Sequence, residues 1–319
     1  MECPEERIAL EEIKRQGVTI IIKAPRDMDR SSLLHRITGA AKEAGKQVVF
    51  LDFEQFDKPT LTNASTFFLQ FCIGLTEDLE LDDRVDDYWK MRSGNIRRCT
   101  HYMGRYLLRA LNKPLVLAVD NVDSIFDSDF RSDFFRMLRN WNNNCRVRDP
   151  VWKQLDLVLV TSFELYQLID DPLLSFNVNV VVELTDFMFE QVKDLNRHYG
   201  PLLTPGQERQ LMALLGGHPR LVCRALSLVA QGRISPTELF IRATDDHGPF
   251  GDHLRALLLW LYDKEDLTQG LRQVIHCNAC QDERVCLRLQ SVGLVRREGP
   301  AVLPRCQLYA DYFRERLNV

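Results

Sequence analysis

No stretch of the 319 residues stays apolar long enough to cross a bilayer. The start, Met1-Glu2-Cys3-Pro4-Glu5-Glu6, has neither the positive region nor the apolar core of an export signal. A cytoplasmic protein without membrane contact is the expectation. A large excess of one charge is also missing: a formal net charge of −4 gives no overall pull toward nucleic acid or anionic lipid. The nine cysteines are odd in number and follow no disulfide framework, in a chain too large to need staples, so reduced thiols are expected. Internal repeats and low-complexity tracts are absent, and no Ser, Cys or His carries the local signature of a nucleophilic triad. The most informative deficit is local. The loop after the first apolar strand contains no glycine.

That loop sits in Ile20-Ile21-Ile22-Lys23-Ala24-Pro25-Arg26-Asp27-Met28-Asp29-Arg30-Ser31-Ser32-Leu33-Leu34. The apolar run reads as a buried strand, and Leu33, Leu34, Ile37, Ala40 and Ala41 have the spacing of a helix with one buried face. Strand, loop and helix in this order form the setting of a P-loop, whose template Gly-x4-Gly-Lys-Ser/Thr wraps backbone N–H groups around phosphates. Laid on the template, Ala24 and Asp29 take the glycine positions, Arg30 the lysine and Ser31 the hydroxyl. Asp29 is expected to keep the loop's shape by adopting positive φ. Its charge repels a polyphosphate by several kcal/mol, roughly, at an effective dielectric of about 20, and Asp27 adds a second acid. Arg30 keeps the lysine's charge without its compact geometry. Arg26 is a further cation, expected to pair with Asp27 or Asp29.

Further along, Gln47–Phe53, Pro114–Asp120, Leu155–Thr161 and Asn179–Leu184 read as four more apolar strands, with helices between them. The expected helices are 5–16, 31–44, most of 62–112, Phe126 to Trp141, and 163–169. This alternation predicts an α/β core with a parallel sheet over residues 1–186. After Asp186 the pattern is helical. Gly216-Gly217-His218-Pro219 opens one helix, and 187–250 reads as a helical domain. In 251–319, helices near 252–262 and 283–290 precede a hairpin turning at Gly299 and a last amphipathic helix, an order that points to a winged helix.

A P-loop enzyme needs a phosphate cradle, a magnesium clamp and a group that orients water. Ser31 and Asp120, the acid ending an apolar strand, fill the clamp positions. Asn121 follows where many such ATPases have glutamate; an amide orients water but cannot take its proton. Asp123 is expected to cap the helix at 124. Hydrolysis is therefore expected to be slow or absent, and no catalytic residue is assigned. The residues expected to face ATP or ADP with magnesium are Arg26, Arg30, Ser31, Ser32, Asp120 and His218, with Ser31 and Asp120 on the metal.

Other signals are weaker. Cys277-Asn278-Ala279-Cys280 lacks a second pair at ribbon spacing for zinc. Seven acids in 77–87 face six bases in 90–109, read as solvated helix faces rather than a docking surface. Ten Arg/Lys against nine acids in 251–319 make no basic footprint, so a protein-binding winged helix is preferred to a DNA-binding one.

The ordered set Ala24-Pro25-Arg26…Ser31-Ser32-Leu33-Leu34, Leu117-Ala118-Val119-Asp120-Asn121-Val122-Asp123, Phe134-Phe135-Arg136-Met137-Leu138, Ser175-Phe176-Asn177-Val178, Leu184-Thr185-Asp186-Phe187, Gly216-Gly217-His218-Pro219 and Arg305-Cys306-Gln307-Leu308-Tyr309 resembles the AAA-like domain family of STAND-class signalling ATPases. The resemblance implies an ASCE-type P-loop core, a helical lid at 187–250 and a winged helix at 251–319, with Thr161 or Ser162 as a polar sensor. The family's Gly-Lys and Asp-Glu stand here as Asp29-Arg30 and Asp120-Asn121. The combined expectation is a pseudo-ATPase switch or scaffold in a multi-protein bacterial signalling or defence system, with a separate effector or sensor partner and oligomerisation. The alternatives are a slow ATPase using Arg30 for phosphate contact and Asp123 or a residue supplied in trans for water, and a winged-helix DNA-binding regulator.

Overall fold

A computed structural model describes residues 4–26, 28–147, 150–162 and 177–317. The chain divides into two compact units, Met1–Ala24 with Asp29–Leu184, and Pro25–Met28 with Thr185–Val319.

The first unit begins with α1 (Pro4–Glu12), β1 (Thr19–Lys23), α2 (Arg30–Glu43) and β2 (Gln47–Asp52). Next come α3 (Lys58–Thr62), α4 (Ala64–Asp78), α5 (Val85–Trp89), α6 (Asn95–Tyr102), a π-helical turn over Met103–Leu107, and α7 (Leu108–Leu111). It closes with β3 (Leu115–Asp120), α8 (Arg131–Val147), β4 (Leu155–Thr161) and β5 (Val180–Glu183). All strand pairings are parallel, in the order β2-β3-β4-β1-β5.

The β3 and β4 strands are buried along their whole length, as expected of central parallel strands covered on both faces. On one face Ile20 and Ile22 of β1 and Val116 and Ala118 of β3 pack with Leu33 and Ile37 of α2. Elsewhere in the unit, Phe53, Phe67, Phe71 and Phe134 form an aromatic cluster, with ring centroids 5.2 Å apart for Phe53–Phe67 and 5.4 Å for Phe71–Phe134. At the start of β4, Asp156 is fully buried. It accepts from the Val18 N–H at 2.9 Å and from Lys46 Nζ at 2.6 Å, which ties the lead-in to β1 to the sheet.

The second unit holds α9 (Phe189–His198), α10 (Pro205–Leu215), α11 (Pro219–Ala230), α12 (Pro236–Ile241), α13 (Gly251–Leu261), α14 (Glu265–Cys277) and α15 (Glu283–Ser291). The antiparallel hairpin β6 (Val295–Glu298) and β7 (Ala301–Pro304) follows, then α16 (Gln307–Arg316). Residues from α9 through α16 share one apolar cluster, so the helices before and after residue 250 have a common core.

Two sequence expectations change. The helix expected from Phe126 begins at Arg131 and runs to Val147, because Val122–Ile125 forms a 3₁₀ turn and Ser128 N–H bonds back to the Ile125 carbonyl. The helix α14 was not expected. Gly270 masks its pattern in the sequence, yet a Cβ there would lie 2.3 Å from Val285 Cγ1, so the glycine lets α15 approach. The expected helix 163–169 lies outside the described residues.

Gly217, with φ +81, sets the entry to α11. Its carbonyl accepts from the Phe187 N–H at 2.8 Å, and a Cβ would meet the Phe187 oxygen at 2.1 Å. Gly217→Ala is expected to destabilise the second unit by roughly 3 kcal/mol, from backbone strain and the clash together. Gly299→Ala, at φ +59 with nothing within 4 Å, should lose only about 1 kcal/mol. Urea denaturation of the two variants checks this ordering.

Candidate functional site

The strand order leaves β4 between the loop strand β1 and the acid-bearing strand β3. The C-terminal ends of β1 to β4 therefore bring Ala24, Asp52, Asp120 and Thr161 to one edge of the sheet, with Asp52 directly opposite Asp120 in register. In open parallel sheets this edge is where ligands bind.

The loop leaves β1 with the Ala24 N–H donating to the Thr161 carbonyl at 3.0 Å. Asp29 takes φ −77, ψ 61, outside the left-handed region expected of it from the sequence. The reason is capping: its carboxylate accepts from the Ser32 N–H at 3.2 Å, closing the start of α2 on itself. The Ser32 N–H is thereby occupied. The Ser31 and Ser32 side chains are exposed on the first turn. Within the second unit, the Arg26 N–H donates to the Ser291 carbonyl at 2.9 Å, and its side chain is exposed with partners of its own. Asp27, expected as a second acid, lies outside the described residues.

Arg30 is only 5% exposed. Its Nη2 donates to Asn121 Oδ1 at 2.7 Å and its Nη1 to Ser162 Oγ at 3.0 Å, while Asp123 Oδ1 stands 3.9 Å from Nη1. Asn121 passes the chain on, donating from Nδ2 to Asp52 Oδ1 at 2.9 Å. Asn121 holds the left-handed conformation, φ 52, ψ 40, which asparagine tolerates better than most residues. That turn aims its own N–H at Asp120 Oδ1, 2.7 Å away. Asp123, expected as a helix cap, lies inside the 3₁₀ turn, and its carboxylate takes the weak, long bonds of Ser162 N–H at 3.4 Å and Oγ at 3.5 Å. Burial pushes the Asp120 carboxyl above the ordinary range. The Arg30 charge and the Asn121 N–H oppose that rise, and Asp52 and Asp123 add to it.

The fold brings Arg30, Asp120 and Asn121 to the same end of the sheet. Of the two polar residues proposed after β4, Ser162 meets the guanidinium. Asp52 was missed; its signal was an acid ending an apolar strand, the same pattern that marked Asp120. His218 belongs to the second unit. It is 0% exposed, with Nε2 3.2 Å from Tyr309 Oη, which also lies 2.7 Å from His253 Nε2. Among the described residues no three His, Cys, Asp or Glu side chains are grouped to hold a metal ion. Of the two residues expected on the metal, Ser31 is exposed on the first turn of α2 and Asp120 is buried at the end of β3.

A parallel sheet in this order, with a loop after β1 and an acid ending β3, defines an α/β P-loop ATPase fold. The chain belongs to the AAA-like domain family, whose pattern it matches over residues 2–315. No curated protein matches its sequence. It is similar to the solved Walker-type ATPase of Pyrococcus abyssi, with TM-score 0.60 and 13% identity over 97% of this chain and 94% of that one. It is also similar to Cdc6p from Pyrobaculum aerophilum, at TM-score 0.48 and 14% identity over 98% and 93%. A STAND protein with a tetratricopeptide repeat sensor from Pyrococcus horikoshii gives 0.44 and 13%, over 97% of this chain and 42% of that one. At 13% identity the likeness to the Pyrococcus abyssi ATPase is one of fold alone.

Two substitutions read the network. Arg30→Ala leaves Asn121, Ser162 and Asp123 without their cation and should lower stability by about 3 kcal/mol. Asp120→Asn keeps the acceptor for the Asn121 N–H and removes a carboxylate whose folded pKa is raised. Such a group loses stability as pH rises through the folded value, so the variant should melt higher than the parent at pH 7. The difference should shrink as pH falls toward the unfolded value of about 3.9. Melting curves from pH 7 down to pH 5 check the sign.

Proposed function

We propose that this protein is a P-loop switch or scaffold that has given up ATP turnover and acts through a separate effector or sensor protein in a bacterial signalling or defence system. The observation that carries the reading is the guanidinium of Arg30, buried at the lysine position and held by Asn121 and Ser162. A cation so engaged is not aimed at a phosphate, and the Asp29 carboxylate takes a backbone N–H that a phosphate would use. Directly after Asp120 stands an amide with no capacity to accept a proton from water. The present side chains therefore do not fit magnesium-ATP in a hydrolytic arrangement. In this reading residues 187–250 are a lid and 251–319 a winged helix that meets protein rather than DNA. The helix–helix–hairpin–helix order of α14 to α16 supports the second assignment.

One observation favours a slow ATPase instead: the Ser31 side chain is exposed and Asp120 keeps its place at the end of β3. Calorimetry and an ATP hydrolysis assay separate the two readings. The pseudo-ATPase is expected to release no phosphate above a protein-free control, with or without magnesium. Asp29→Gly, Arg30→Lys and Asn121→Glu together should bring measurable turnover. Turnover by the unaltered protein that Asp120→Asn abolishes would overturn the proposal.

A further inference from the structure

The second unit contains a cavity of about 300 Å³ between α10, the end of α14, the hairpin and the first turns of α16. Three arginines line it, Arg296, Arg305 and Arg314, together with the amide residues Asn278 and Gln307. Among the described residues no acid lines it. Three guanidinium groups around one small space, with no acid among its described lining residues, offer an anion a set of planar N–H donors.

The arginines differ in how they are held. Arg305 is 3% exposed and fixed by Asp186, through Nη2 at 2.7 Å and Nε at 3.3 Å, so its position is set before any ligand arrives. Arg296 and Arg314 lie on the surface, paired with Glu298 at 2.8 Å and Asp311 at 3.2 Å. Exposed pairs of this kind contribute about 0–1 kcal/mol, so both side chains can turn to a ligand at little cost. Asp311 also accepts from Gln307 Nε2 at 2.7 Å, which makes it the carboxylate competing for two of the cavity's donors. The N-cap of α16 is Cys306, a lining residue with no side-chain capping bond, and a thiol is a weak acceptor. The positive end of that helix adds to the field at the same place.

We propose that this cavity binds a small phosphate-bearing molecule with at least two negative charges. Planar guanidinium groups bind phosphate through paired N–H donors, and the volume is at the small end of ordinary ligand pockets. The proposal does not rest on the reading of the P-loop, because every lining residue belongs to the second unit.

Inorganic pyrophosphate titrated into the full chain at constant ionic strength, followed by calorimetry and melting temperature, tests it. Saturable binding with a rise in melting temperature is expected. Arg296→Ala with Arg314→Ala should weaken binding at least about tenfold and leave the ligand-free melting curve nearly unchanged. Asp311→Asn frees Gln307 and Arg314 and should tighten it, an opposite change that loss of folding cannot produce. Ser31→Ala, in the other unit, should have no effect. Absence of saturable binding, or equal binding by the double arginine variant, would overturn the proposal. So would loss of binding in Ser31→Ala, which would assign the anion to the P-loop.

Discussion

A guanidinium can be buried only where enough acceptors surround it, since an unmatched charge inside a protein is strongly unfavourable. Arg30 meets that condition through partners from two parts of the chain: Asn121 and the nearby Asp123 carboxylate after β3, and Ser162 after β4. The other features of the edge follow from this demand. Asn121 must present its carbonyl oxygen to Arg30, so its amide nitrogen is left for Asp52. Its backbone turns left-handed to do so, which commits its N–H to Asp120. Removal of the arginine would take from Asn121, Ser162 and Asp123 the cation they share.

The sheet order explains why such a network closes here. With β4 lying between β1 and β3, a long side chain at the start of α2 passes over the end of β4 before reaching β3. Arg30, at the template's lysine position, there meets Ser162 and Asn121. The result is a polar edge whose members already have protein partners, on a core of central strands buried along their whole length. Such an edge is well suited to holding a shape.

The five strands were legible in the sequence because each is a short apolar run bounded by turn residues, and parallel strands covered on both faces leave that signature. The α2 helix was legible from the spacing of Leu33, Leu34 and Ile37. Less could be read where distant residues decide. The path of the Arg30 side chain depends on partners 91 and 132 positions away, and no local pattern encodes that. The conformation of Asp29 depends on whether its carboxylate caps α2 or leaves the loop free. Gly270 hid α14 because its reason is the nearness of Val285 on another helix. His218 illustrates the same limit: its sequence neighbours mark a helix start, and its burial beside Tyr309 comes from the fold of the second unit.

The left-handed turn at Asn121 also limits what can stand there. A glutamate in that conformation carries a strain of roughly 1 kcal/mol, and a lysine at position 30 has a single nitrogen with which to reach acceptors now shared between two. Arg30 and Asn121 are thus coupled: the forked cation and the amide that accepts from it fit each other, so the effect of changing either depends on the other.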